Sequence, residues 1–258
     1  MILNLKTLYG SKLAALDGEI GHVKDFYFDD KSWVIRYMVV NTGSWLKERM
    51  VLLSPQAFGK WDQLKGTLHI KLHRKQIENS PSPSAHVPVS RQFEVEYYRY
   101  YGWPAYWSGD ALWGSGIFPM VMHPPSAEMD KDYPRHHHRD DKHLRSAQAV
   151  KGYDIQATDG SIGHVSGFQV NDRSWAIREL VVDAGSWMTC KEIMIPPNKV
   201  DRISYEDAKV FVKLTKADIE RTAESGIAKA SAAGTVAEGS EPQTESSKVS
   251  GENGFHNV

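Results

Sequence analysis

Apolar residues along this chain alternate with polar ones in short runs, and clusters of Gly, Asp, Asn and Ser separate the runs. A two-residue period is typical of half-buried β-strands, and such clusters are typical of the turns between them. The pattern predicts two sets of five strands, over residues 12–16, 20–28, 33–41, 49–53 and 67–72, and then 153–157, 162–170, 175–183, 192–195 and 209–214. Short helical signatures follow the two sets, at 71–79 and 213–221.

The two sets belong to an internal repeat. Residues 17–45 recur without a gap as residues 159–187, and 17 of these 29 positions are identical at a constant offset of 142. Chance would give roughly two identities, so the sequence indicates two copies of one small unit. The predicted domains are a first copy, an aromatic and His-rich linker, a second copy, and a tail predicted to be disordered because it lacks large apolar residues, at 1–80, 81–147, 148–222 and 223–258.

The second strand of each copy shows a change of phase. Val23 lies three residues before Phe26, and Val165 lies three residues before Phe168, so alternation alone would put them on opposite faces. A β-bulge near residues 24–25, and again near 166–167, would place both apolar residues inside. The residue pairs Asp17-Gly18 and Asp159-Gly160 favour a tight hairpin before this strand in each copy.

The third strand of the first copy is apolar on both faces. Alternation places Ile35 and Val39 on one face and Val34, Met38 and Val40 on the other, so we expect the strand to be covered on its outer side. Small sheets with bulges and strong curvature tend to close. The predicted fold class is therefore mainly β: two small, strongly bent β-barrels joined by an aromatic-rich linker, each ending in a short helix, with a disordered C-terminal tail.

Composition narrows the functional classes. The net charge is −1 and the pI is about 6.8, so no overall basic field favours DNA, and no DNA partner is expected. The single cysteine, Cys190, rules out an intrachain disulfide and fits a reducing compartment. The sequence shows neither a signal-peptide pattern nor an apolar run long enough to span a bilayer. We expect a cytoplasmic protein, with peripheral membrane contact as an open alternative.

Aromatic residues crowd the start of the linker and are the strongest binding candidates. Gly102, Pro104 and Gly109 argue against a long helix here. Tyrosine and tryptophan are enriched at interfaces, so the segment either packs across both barrels or meets a partner, and the sequence favours neither; lodging at a membrane surface is a third alternative. The candidates are Tyr97, Tyr98, Tyr100, Tyr101, Trp103, Tyr106, Trp107 and Trp113.

Polar residues kept in both copies are a second set of candidates. His22 matches His164, and Arg36 matches Arg178. The functional interpretation is a proton path or an anion site, because histidine side chains titrate near neutral pH and arginine side chains keep a positive charge. Retention in both copies favours a structural role, such as an ion pair or an arginine stem packed on a tryptophan.

Chemical motifs are otherwise sparse. His136, His137 and His138 are weak candidates for a zinc, copper or nickel site, although adjacent histidines seldom converge on one ion and a solvated linker is the simpler interpretation. The sequence shows no catalytic or nucleotide-binding signature, so we expect a protein that is not an enzyme and has no cofactor.

The pattern D-G-x-I-G-x-V, followed by W-x-I-R-x-x-V-V-x-x-G-S-W and a short strand ending in Ser-Pro or Pro-Pro, resembles the PRC-barrel family. Members of this family form small bent β-barrels in the H subunit of photosynthetic reaction centres and in RimM-type ribosome-maturation factors. The resemblance covers roughly residues 6–80 and 148–222. The chain lacks the membrane helix of the first and the different N-terminal barrel of the second.

The resemblance implies a bacterial, non-enzymatic module that docks onto a protein complex or pairs with itself. One expected partner is a photosynthetic reaction centre or an electron-transport complex, reached from the cytoplasmic face. Two alternatives remain: an accessory factor for ribosomes or RNA processing, and a metal-binding protein that uses the linker histidines.

Overall fold

The computed structural model describes residues 1–82, 89–107, 144–185 and 192–221, and within them the fold is mainly β. Two seven-stranded sheets hold the strands, which are numbered along the chain. The first sheet contains β2 (Lys12–Ala15), β3 (Gly18–Asp29), β4 (Val34–Asn41), β5 (Met50–Leu53), β6 (Phe58–Asp62), β7 (Thr67–Ile70) and β8 (Leu144–Ser146). The second contains β1 (Ile2–Asn4), β9 (Asp154–Ala157), β10 (Gly160–Asn171), β11 (Ile177–Asp183), β12 (Glu192–Ile195), β13 (Val200–Ser204) and β14 (Lys209–Val212).

Helices in the described residues are short. The α-helices are α1 (Arg74–Glu78), α2 (Arg91–Tyr101), α3 (Ala147–Val150) and α4, which covers residues 216–221. Single-turn 3₁₀-helices form at Leu5–Thr7, Gly43–Leu46, Pro55–Ala57 and Pro197–Lys199. All ten predicted strands are present, with ends that differ from the prediction by at most two residues, and both predicted helical signatures form helices. The sequence did not predict β1, β6, β8, β13 or α2. The tail at 223–258 lies outside the described residues.

The two sheets share one strand order. The first runs β5-β4-β3-β2-β7-β6 and the second runs β12-β11-β10-β9-β14-β13. Strand β2 pairs in parallel with β7, as β9 does with β14, and the remaining pairs are antiparallel. Both orders are open paths, so the prediction of closed barrels was wrong at the level of strand pairing.

The end of β5 has backbone groups that bond to a side chain instead of a further strand. The Ser54 N–H donates to the Tyr97 hydroxyl oxygen at 2.9 Å, and this hydroxyl donates to the Leu52 carbonyl at 3.1 Å. Two backbone groups that a further strand would need are therefore already satisfied by a side chain.

Both predicted bulges are confirmed. The register of β3 on β4 shifts between Val23 and Asp25, and that of β10 on β11 shifts between Val165 and Gly167. As a result Val23 and Phe26 are both buried in the core, and the corresponding residues of β10 are buried as well. Because a bulge inserts one extra residue into the strand, apolar residues three positions apart come to lie on the same face of the sheet.

Strand β4 contains a further irregularity that changes the predicted faces. Tyr37 pairs with Tyr27 while Ile35 pairs with Phe28, so Arg36 is the extra residue on β4. The bulge turns Ile35 toward the core with Met38 and Val40, and it leaves Tyr37 and Val39 on the outer face. The predicted grouping of Ile35 with Val39 was therefore wrong, whereas the predicted cover over the outer face is confirmed, since α2 packs there.

The two sheets exchange their first strands. Strand β1 pairs with β10 through Leu3 and Val170, and β8 pairs with β3 through Arg145 and Phe28. Residues 2–4 and 144–146 are equivalent, since they are separated by the repeat offset of 142. The segment before each copy therefore adds a strand to the sheet of the other copy. An isolated bridge joins Val34 to its own repeat equivalent, Ala176.

One apolar core runs through both sheets. The Phe28 and Phe168 rings lie 5.5 Å apart, and the Phe26 ring stacks on Trp175 at 6.3 Å. These contacts join residues of the first sheet to residues of the second within a single buried cluster. Neither sheet therefore buries its apolar face alone.

Candidate interaction surfaces

Helix α2 carries most of the aromatic candidates. Its first turn is capped by the Ser90 side chain, which accepts a hydrogen bond from the Phe93 N–H at 3.2 Å. It ends at Gly102, whose φ of 66° closes the last turn, and Pro104 follows. As expected from Gly102 and Pro104, no long helix runs through the described part of this segment, because these two residues terminate α2. The sequence did not predict the eleven helical residues before Gly102.

The aromatic residues of α2 and the next loop form a layer on the outer face of β4 and β5. The Tyr97 ring meets the Tyr37 ring edge-on at 5.4 Å, and the Tyr101 and Trp103 rings stack at 4.5 Å. Tyr97, Tyr98 and Tyr106 are buried, whereas Tyr101, Trp103 and Trp107 are half-buried. We call this set, with Tyr37, the aromatic layer. Tyr100 points away and is 41% exposed; Trp113 lies outside the described residues.

A buried carboxylate ties the aromatic layer to the sheet. The hydroxyls of Tyr37 and Tyr106 donate to Glu94 Oε1 at 2.9 and 2.8 Å, and Arg91 lies 3.0 Å from Glu94 Oε2. Burial, with the negative charge of Glu94 nearby, raises the pKa of Tyr37 and of Tyr106 well above the ordinary value. The network fixes the segment by charge-assisted hydrogen bonds in a place that water does not reach. Sequence reasoning missed Glu94, because a single glutamate on a helix gives no signal of burial.

Arg36 belongs to the same network, and its repeat mate does not. Its guanidinium lies 3.9 Å from the Tyr106 ring centroid, donates to Ser32 Oγ at 3.0 Å and lies 3.7 Å from Asp29 Oδ2. Arg36 is buried, but Arg178 is exposed. The two arginines therefore have different surroundings despite their equivalent positions.

The repeated histidines are both exposed. His22 lines an open cavity of about 440 Å³ with Tyr9, Lys24 and Glu48. Across the described ranges, no three His, Cys, Asp or Glu side chains gather closely enough to hold a metal ion. His136, His137 and His138 lie outside those ranges.

A groove of about 770 Å³ lies beside the β6–β7 hairpin, and the sequence did not predict it. Trp61, Leu64 and Leu68 line it from the first sheet, and Leu3, Asp172 and Trp175 line it from the second sheet. Leu64 is 99% exposed at the tip of the hairpin. We call this the hairpin groove. The sequence signal that could have revealed it is a large apolar residue, Leu64, within the turn at residues 62–66.

The equivalent place beside the β13–β14 hairpin is filled. The Arg145 guanidinium lies 3.7 Å from the Tyr205 ring centroid, and its Nε donates to Asp30 Oδ2 at 2.7 Å. The side chains of Arg145 and Asp30 are 21% and 19% exposed, so the pair is largely shielded from water.

Within the part of the chain that the structure describes, no helix has both the length and the apolar character needed to cross a bilayer. The chain matches no protein-family model and no curated protein.

Proposed function

We propose that this protein is a non-enzymatic docking module made of two PRC-type units that share one core. The repeated motif supports the relation between the units, and so do the identical strand orders of the two sheets. The reciprocal placement of β1 and β8 supports a permanent pairing of the units within one chain.

The observation that carries the docking role is the hairpin groove. Leu64 is an almost fully exposed leucine beside a half-buried tryptophan, Trp61. Exposed apolar residues that gather around a concave surface are typical of sites for protein partners, and tryptophan is among the residues that contribute most binding energy. The corresponding position beside the β13–β14 hairpin is occupied by Arg145, whereas no arginine among the described residues fills the hairpin groove.

The aromatic layer takes a structural role in this proposal. Its most central rings, Tyr97 and Tyr98, are buried against β4 and β5 and offer no surface to a partner. Of the three alternatives that the sequence left open, these contacts favour intramolecular packing, on β4 and β5 of the first sheet rather than across both units. Tyr100 remains available at the surface.

The partner in this proposal is a protein assembly reached from the cytoplasm, by analogy with the PRC-barrel family. A reaction-centre or electron-transport complex is the first choice, because the H-subunit barrel is attached to such a complex. This choice of partner rests on the resemblance to that family alone, and a crosslinking test of the docking role does not require the partner to be such a complex.

A photo-crosslinking amino acid placed at Leu64 tests the docking role. Glu206 occupies the equivalent hairpin position, is also exposed, and provides the matched control site. We expect a crosslinked partner from position 64 and little from position 206, and we expect Trp61→Ala to reduce the first product. Equal crosslinking from both positions, or none from position 64 in a lysate of the native host, would refute the proposed function.

A further inference from the structure

The two hairpin positions differ at a few residues that the offset of 142 relates. Where the position beside the β13–β14 hairpin has Arg145 and Tyr205, the hairpin groove has Leu3 and Gln63. The aspartate is kept, since Asp30 corresponds to Asp172. One position thus contains a stacked and paired guanidinium, and the other contains the acid without the arginine.

The hairpin groove retains the chemistry that a guanidinium needs. The Asp172 carboxylate already receives the terminal ammonium of Met1 on Oδ1 at 2.7 Å, and its side chain is 35% exposed. A carboxylate offers about four lone-pair directions, so a second cation fits beside the first. Trp61 supplies an aromatic surface on the hairpin side of the same groove, which Gln63 cannot supply.

From this comparison we propose that the hairpin groove receives an arginine side chain from a partner protein, in the way that Arg145 fills the equivalent position within the chain. This inference rests on the proposed docking function and names the chemistry of the partner. The arginine would stack on Trp61 and direct its N–H groups to Asp172, while Leu64 would cover apolar atoms next to it.

Arginine fits this site better than lysine. A guanidinium is planar, so it stacks on an indole and still donates two parallel hydrogen bonds to a carboxylate. An ammonium is more strongly hydrated and acts as a point charge. Lys60 and His69 also line the groove, so a ligand that depended on positive charge alone would gain little there.

The test measures binding of hexa-arginine and hexa-lysine peptides to the full chain by calorimetry at roughly physiological ionic strength, where exposed charges are largely screened. We expect hexa-arginine to bind at least about tenfold more tightly than hexa-lysine, a difference of about 1.4 kcal/mol. Asp172→Asn and Trp61→Ala should each weaken hexa-arginine binding about tenfold. The control, Asp201→Asn, removes an exposed acid of the other hairpin and should change nothing.

Three results would overturn the assignment: equal affinity for both peptides, hexa-arginine binding that ignores Asp172→Asn and Trp61→Ala, or a concentration-dependent dimer in which a second copy fills the groove. Circular dichroism of each variant separates loss of binding from loss of fold. Crosslinking from position 64 to a partner, combined with no preference for hexa-arginine, would reject the arginine chemistry alone. Failure of the crosslinking would reject the docking function itself.

Discussion

Residues that the repeat makes identical do not have identical surroundings. Arg36 is buried under Tyr106 and faces Asp29, whereas Arg178 is exposed. The difference arises because α2 and its following loop cover β4. An identical residue in both copies therefore indicates a shared origin. The contribution of that residue to stability depends on the side chains that pack against it in each copy.

The two repeated phenylalanines do share an environment. Phe26 and Phe168 are both fully buried, and each contacts an aromatic ring from the opposite sheet. We expect Phe26→Ala and Phe168→Ala each to lower the free energy of unfolding by about 3–5 kcal/mol, because each removes apolar contacts and leaves a cavity. Urea denaturation measures this. The control variants His22→Ala and His164→Ala change exposed residues of the same two strands and should shift the free energy of unfolding by less than about 0.5 kcal/mol. A similar loss from all four variants would contradict the burial of the phenylalanines.

The tyrosines of the aromatic layer give a pH-dependent prediction. Burial raises the pKa of Tyr37 and Tyr97 well above the ordinary value of 10.0, and it raises the pKa of Tyr101 to about 12. A group whose pKa is higher in the folded state contributes its full stabilisation at pH values below the pKa of the unfolded chain. This contribution is lost as the pH rises from the pKa of the unfolded chain through that of the folded state. We therefore expect stability to fall above about pH 10.

Phenolate absorbance during an alkaline titration measures this effect. The folded chain should titrate in two stages, with the buried tyrosines ionising late or only on unfolding, and the chain in concentrated urea should titrate in one stage near the ordinary pKa. A single stage near that pKa in the folded chain would show that the aromatic layer is open to water.

Helix α2 is joined to the end of β5 by one tyrosine hydroxyl. Tyr97 bridges the Ser54 N–H and the Leu52 carbonyl, so two buried backbone groups depend on it. Tyr97→Phe keeps the ring and removes the bridge. We expect a loss of about 1–3 kcal/mol in the free energy of unfolding, the usual result of leaving buried polar groups unsatisfied.

Tyr100→Phe is the matched control for that change. The Tyr100 hydroxyl donates to the Gln76 carbonyl at an exposed site, where water can replace it. Thermal or urea unfolding of both variants should show a clear loss for position 97 and almost none for position 100. Equal losses would mean that the helix, rather than the hydroxyl on the edge of β5, determines the effect.

Elements that follow a local pattern could be predicted, and elements defined by distant partners could not. Alternation located β3 and β10, and the change of phase at Val23 and Val165 located their bulges. Strands β1 and β8 have three residues each and no alternation, and their partners lie more than a hundred positions away. Leu3 of β1 lines the hairpin groove together with Trp61 and Asp172, so the local pattern alone could not bring these residues to one groove.

For the whole molecule, the exchange of β1 and β8 makes the two sheets interdependent. Each sheet contains a strand from the segment that precedes the opposite copy, and one core contains residues of both. The backbone also crosses between copies at the repeat equivalents themselves: the Ile35 N–H donates to the Trp175 carbonyl at 2.9 Å, and the Ile177 N–H donates to the Trp33 carbonyl at 2.7 Å. We therefore expect the described sheets to unfold as a single cooperative unit.

Hydrogen exchange in Phe168→Ala tests this cooperativity. The substitution lies in β10 of the second sheet, yet the most protected amides of β3 and β4 in the first sheet should lose as much protection as those of β10 and β11, because all of them exchange through the same global opening. The reciprocal variant, Phe26→Ala, should give the same pattern from the other side. If Phe168→Ala lowered protection in the second sheet only, the units would be independent domains that touch, and the shared core would not couple their stabilities.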